Sequence, residues 1–167
     1  GNGVETFAPS SPTSLVANGE NAQVALSWTA PSSYGSAVSD YIVEYKLSAD
    51  SSWTTFSDGT SATASAVVTG LTNGASYDFR VSAINSIGTS AVSSTSTATP
   101  TLPTVSGSPT SLITIVGDAT TSLSWMTPVS NGGSSISDYI VEYKLTSNPS
   151  WSTFSDGVST TTSATVT

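Results

Sequence analysis

The sequence predicts an all-β chain made of two sandwich units in series, and three observations predict it. The octapeptide SDYIVEYK stands at Ser39–Lys46 and again at Ser137–Lys144. Apolar residues alternate with polar ones at a period of two, the signature of half-buried strands. Between these runs lie clusters of Gly, Asn, Asp and Ser suited to tight reversals. No stripe of helical spacing competes with this pattern.

The repeat extends well beyond its octapeptide core. Ser11-Pro12-Thr13-Ser14-Leu15 matches Ser108-Pro109-Thr110-Ser111-Leu112, Leu26-Ser27-Trp28 matches Leu123-Ser124-Trp125, and Trp53 to Gly59 matches Trp151 to Gly157. A period this long encloses a whole domain with its own core, where a solenoid unit would need its neighbours. The expected organisation is a complete unit over 11–100, a linker over 101–107 and a second unit over 108–167. Asn2 to Ser11 resemble Asn85 to Ser94, so residues 1–10 read as the closing strand of a preceding unit.

Each strand can be justified in order. Val24, Leu26 and Trp28 share one face, with Gln23, Ala25 and Ser27 on the other. In the repeated segment Tyr41, Val43 and Tyr45 point inward, and Ile42, Glu44 and Lys46 outward. Tyr77, Phe79, Val81 and Ala83 form a third inward row, leaving Asp78, Arg80 and Ser82 outside. Asn18-Gly19, Ser57-Asp58-Gly59, Asn73-Gly74, Asn85 to Gly88 and Asn131-Gly132-Gly133 read as the turns between strands. The expected first core is Trp28, Tyr41, Val43, Tyr45, Val68, Leu71, Tyr77, Phe79 and Val81. Its second-unit partners are Trp125, Tyr139, Val141, Tyr143 and Val166.

These residues resemble the fibronectin type III domain. The likeness rests on Pro12 ahead of the first strand, Trp28 in the second, Tyr41-x-Val43-x-Tyr45, and Leu71 with Asn73-Gly74 and Tyr77-x-Phe79-x-Val81. The resemblance implies tandem immunoglobulin-like sandwiches and a tyrosine corner, in which the Tyr77 phenol bonds backbone near Leu71. It covers 11–100 almost fully. In the second unit the counterpart of Leu71 to Ala83 is missing, so strands F and G are not represented.

The second unit is therefore expected to be unable to stand alone. Leaving about 500 Å² of apolar surface uncovered forfeits on the order of 12 kcal/mol, comparable with the whole stability of a domain, about 5–15 kcal/mol. Two completions are open: the sequence is a window on a longer array, or strands come from another chain. The second would make the protein a strand-complemented subunit of a self-assembling fibre.

Composition narrows the chemistry. Eleven acids against three cations, Lys46, Arg80 and Lys144, give a net charge of −8, which disfavours phosphate binding and hence nucleic acid. Neither cysteine nor histidine occurs, removing disulfides, thiolates and the usual neutral-pH proton shuttle. No apolar run is long enough to span a membrane. Serines abound without a partner base. The carboxylates Asp40 and Glu44 share one strand's solvent face, as Asp138 and Glu142 do, so no cofactor, metal or catalytic residue is expected. Asp58-Gly59 and Asp156-Gly157 each bring one carboxylate to a turn, short of a calcium loop. No Arg-Gly-Asp occurs.

Trp53 and Trp151 are the candidates for a ligand-stacking role, since an aromatic off the core can carry a sugar ring. The alternative is that each tryptophan caps the sandwich edge beside Tyr45 or Tyr143. Tyr34 has no aromatic counterpart in the second unit. The expected function is a non-catalytic structural spacer or adhesion module, with a carbohydrate-binding module as the rival. Proteins carrying similar Thr/Ser-rich modules include bacterial surface proteins and bacteriophage fibres and capsid decorations. The resemblance thus implies an extracellular, cell-surface or virion location. The expected partners are neighbouring domains of a longer chain, with copies of itself or cell-surface glycans as further candidates.

Overall fold

A computed structural model describes Gly3 and residues 5–167 of the chain, and every regular element among them is a strand. Two compact units divide at Leu102/Pro103. In the first, β1 (Thr13–Glu20), β2 (Gln23–Thr29) and β5 (Ser65–Thr69) form one antiparallel sheet with β2 central. The second sheet runs β4 (Thr54–Phe56), β3 (Asp40–Leu47), β6 (Tyr77–Ile84) and β7 (Ser96–Ala98).

The alternation in sequence becomes a core because register aligns the inward rows. Tyr41 pairs Ala83, Val43 pairs Val81 and Tyr45 pairs Phe79, while Val24 pairs Val68 on the facing sheet. Val24, Leu26, Trp28, Tyr41, Val43, Val68, Leu71, Tyr77, Phe79, Val81 and Ala83 are buried together, with Tyr45 and Phe56 partly buried against them. Trp28 meets Tyr41 edge-on at 5.0 Å. The tyrosine corner is present: the Thr72 amide donates to the Tyr77 hydroxyl at 3.1 Å.

The second unit repeats this frame as far as its sequence allows. β8 (Thr110–Val116), β9 (Thr121–Met126) and β12 (Ser163–Val166) form a sheet with β9 central, and β10 (Glu142–Tyr143) pairs β11 (Ser152–Thr153). Trp125 meets Tyr139 edge-on at 5.3 Å, and the Trp125 amide bonds Thr162 as Trp28 bonds Ala64. Both units place a bulge at the same serine: Ser14 and Ser111 each have φ 54°.

Several expectations change against this frame. Tyr143 is 47% exposed where its counterpart Tyr45 is partly buried, because no residue of this sequence supplies the cover that Tyr77 gives Tyr45. Trp125, Tyr139 and Val166 are half-buried, and Val141 is buried. Ser82, read as outward, is 4% exposed. It sits on a central strand flanked on one side by β3 and on the other by residues 90–98, whose Ser90 and Ser93 hydroxyls accept the Ala83 and Val81 amides.

Asn18-Gly19 is not a turn but the body of β1; the reversal falls at Asn21-Ala22, with Ala22 at φ 55°. Gly19 is needed there because residues 99–101 run alongside, so a Cβ would collide with the Thr99 carbonyl, and the Thr101 amide donates to Glu20 at 3.2 Å. The linker also shortens. Thr104 and Gly107 donate to Gly132 and Ser130 at 2.7 and 2.9 Å, which makes 104–107 the lead-in of the second unit. Phe7 and Ser10 make the matching bonds to Tyr34 and Ser32 in the first. Residues 5–10 thus lie against the first unit without forming a strand. Asn2 and Val4, part of the closing-strand reading of 1–10, lie outside the described residues.

Candidate functional site

The densest polar arrangement covers the outer face of the β4-β3-β6-β7 sheet, and it arises from the outward row of each strand. Glu44 pairs Arg80 and Lys46 pairs Asp78 across β3 and β6, so opposite charges stand directly opposite, a favourable cross-strand arrangement. Arg80 grips Glu44 with two nitrogens, at 2.9 and 3.2 Å. Lys46 Nζ reaches Asp78 at 3.1 Å and also donates to the Ser48 and Asp50 carbonyls. Hydroxyls of Ser48 and Thr97 donate to Asp78 Oδ1, each at 2.8 Å.

These donors act on one carboxyl. The Ser48 and Thr97 hydroxyls, followed by the Lys46 ammonium, hold Asp78 below the ordinary carboxylate value of 3.8 despite some desolvation. Asp78 therefore serves as a fixed anion that joins β3, β6 and β7.

Trp53 lies over this lattice. Tyr45 pairs Thr54, so the residue before Thr54 falls opposite Lys46 on the outer face. The Arg80 guanidinium stands 4.2 Å from the Trp53 ring centroid and Lys46 Nζ 5.3 Å. Trp53 accordingly does not cap the sandwich beside Tyr45, whose ring turns inward toward Tyr77 and Phe56. Two cations already occupy the indole, an arrangement worth about 0.5–2 kcal/mol per contact.

In the second unit Lys144 lies 5.3 Å from the Trp151 ring and donates to the Asn148 carbonyl at 2.9 Å, repeating the Lys46 clamp on Asp50. All three cations of the chain are thus spent on tryptophan faces. Trp151 is 60% exposed and lacks an arginine counterpart. It borders a groove of about 320 Å³ lined by Leu112, Leu123, Trp125, Tyr139 and Val141, whose counterparts in the first unit belong to the core that includes β6.

Two of the other carboxylates singled out in the sequence, Asp40 and Asp138, serve the backbone. Asp40 Oδ1 accepts the Tyr41 and Ser61 amides at 2.8 and 3.0 Å, and Asp138 Oδ1 accepts those of Tyr139 and Ser159 at 2.9 and 3.0 Å. Asn85, 4% exposed, was legible only as a turn former. Its amide nitrogen donates to the Phe7, Ser33 and Ser36 carbonyls, and its oxygen accepts from Ile87 and Gly88. One side chain thereby ties three loops at one pole of the first unit.

The family model for the fibronectin type III domain matches residues 8–99, more than half of the chain. The chain belongs to the fibronectin type III family. The chain is similar to solved titin domains A168–A170, at 28% identity and a TM-score of 0.54 over 58% of this chain and 34% of that one. The twitchin kinase region from C. elegans matches at 26% and 0.52, over 59% of this chain and 18% of that one. Domains FN1–FN3 of chicken CNTN1 match at 20% and 0.52 over 95% of this chain and 55% of that one, a likeness of fold. The chain spans between about a fifth and just over half of these structures. The fibronectin type III fold is a common structural and adhesion module of multidomain proteins, generally without catalysis of its own.

Proposed function

We propose that this chain is a structural spacer of a larger extracellular or virion appendage protein, with its partners the neighbouring domains of the same polypeptide. The observation that carries the reading is the outer-face lattice. Arg80, Glu44, Lys46, Asp78, Thr97 and Trp53 satisfy one another, linking β3, β6, β7 and the approach to β4 and leaving few groups aimed at a ligand. The same lysine–tryptophan clamp recurs in the second unit, as expected when a mechanical unit is duplicated. The Ser/Thr-rich composition matches the bacterial and phage modules that the resemblance implies, and that likeness supports an exterior location. The carbohydrate reading has one feature in its favour, the exposed Trp151.

Fluorescence quenching separates the two roles. With tryptophans retained one at a time, iodide is expected to quench Trp53 weakly, and a panel of soluble glycans to leave its emission unchanged. Glycan-dependent protection of Trp53 or Trp151 would replace the spacer with a sugar-binding module.

A further inference from the structure

We propose that Asn131-Gly132 is a site of spontaneous backbone-mediated deamidation, an ageing modification that the fold permits here and suppresses at the chain's other described Asn-Gly pairs. The chemistry is intramolecular. The Gly132 backbone nitrogen attacks Cγ of Asn131, the new N–C bond forms as the Cγ–Nδ2 bond breaks, and ammonia departs with the displaced proton. Water then opens the cyclic imide at either carbonyl to give aspartate or isoaspartate, with no oxidant or reductant required.

Local geometry at Asn131 favours each part of this step. Asn131 is exposed in the loop between β9 and β10, outside any strand ladder, although the Thr104 backbone lies close against Gly132. The Gly133 amide donates to Asn131 Oδ1 at 3.0 Å, where negative charge grows as the nitrogen adds. The Gly132 amide donates to the exposed Ser130 hydroxyl at 3.2 Å, an oxygen that can pass the departing proton to water. A carbonyl acceptor could not do so.

The other two pairs lack these conditions. Asn18 and Gly19 sit within β1, paired with Ala25 and Val24, so their backbone is fixed in a strand ladder. Asn73 is held at both ends of its amide: Oδ1 accepts the Ala22 amide at 2.8 Å and Nδ2 donates to Asn21 at 2.9 Å. The attacking nitrogen of Gly74 is committed to the Pro100 carbonyl at 2.8 Å. Asn2, before Gly3, lies outside the described residues. The modification would also bear on structure, because Ser130 and Gly132 hold the lead-in through Gly107 and Thr104. Isoaspartate lengthens the backbone between them.

Peptide mapping tests this on the whole chain aged at neutral to mildly alkaline pH. Trypsin, cutting only after Lys46, Arg80 and Lys144, places Asn18, Asn73 and Asn131 on three different peptides, and fragmentation separates Asn131 from Asn85. The expected result is an acidic species one unit beyond the native −8, with isoaspartate at position 131. Conversion at 18 and 73 should be at least about tenfold slower, the factor set by about 1.4 kcal/mol of local opening. In denaturant the three sites should convert at similar rates, and Asn131→Ser should remove the early isoaspartate from the 81–144 peptide. Equal conversion of Asn18 or Asn73 in the folded chain, no early conversion at Asn131, or early isoaspartate persisting in the 81–144 peptide of Asn131→Ser would each overturn the proposal.

Discussion

At the scale of single residues, the first unit is governed by polar groups that have one geometrically specified partner. The Tyr77 hydroxyl accepts the Thr72 amide within an otherwise apolar setting, so removing it strands a backbone donor while leaving the ring in place. Tyr77→Phe is expected to lower stability by about 1–3 kcal/mol, measured as a reduced urea midpoint at unchanged slope. An unchanged midpoint would show that water replaces the phenol at no cost. Asp78 makes a prediction with a sign. Its native value lies below its unfolded one, so the stability it contributes is fully present above the unfolded value and fades as pH falls through the native one. The stability gap between wild type and Asp78→Asn should therefore be constant near neutrality and shrink only in strong acid. A gap that changes between pH about 5 and 8 would contradict this assignment.

At the scale of elements, legibility followed what each strand encodes by itself. The alternation in β2, β3 and β6 could be read because each presents one apolar row to one core. Edge details could not be read. Asn18-Gly19 has turn chemistry, yet residues 99–101, eighty positions away, hold it as strand. Trp53's place on the outer face depends on the register of β4 against β3, which a count along one strand does not give. Ser14 and Ser111 carry positive φ without a glycine to announce their bulge. The inward rows of the first unit were legible, although Val24, Leu26 and Ala83 join the buried set and Tyr45 is only partly buried, whereas Tyr143 was placed inside by analogy with Tyr45 and lies exposed because this sequence has no counterpart of Tyr77 to cover it. Gly19→Ala tests the element account. A Cβ there collides with the Thr99 backbone, so a loss of about 1–3 kcal/mol by chemical unfolding is expected, while Gly88→Ala, whose Cβ would meet only Ala8 at an ordinary 3.7 Å, should lose less. The reverse order would mean that 99–101 does not dock on β1.

On the scale of the whole molecule, the two units share a frame and differ in closure. The first has facing sheets with a continuous core, and Phe79 at its centre is fully buried. Phe79→Ala should cost about 3–5 kcal/mol, a large share of a domain's typical stability of about 5–15 kcal/mol. In the second, Leu112, Ile140 and Leu145 are exposed, and within this sequence it should unfold first. The central claim is that the first unit bears load as one cooperative body. Pulling this chain between its ends in a single-molecule force experiment tests that claim most directly. The account predicts one abrupt rupture of the first unit, releasing on the order of 300 Å of chain. Smooth extension through that length, with no discrete rupture, would contradict it.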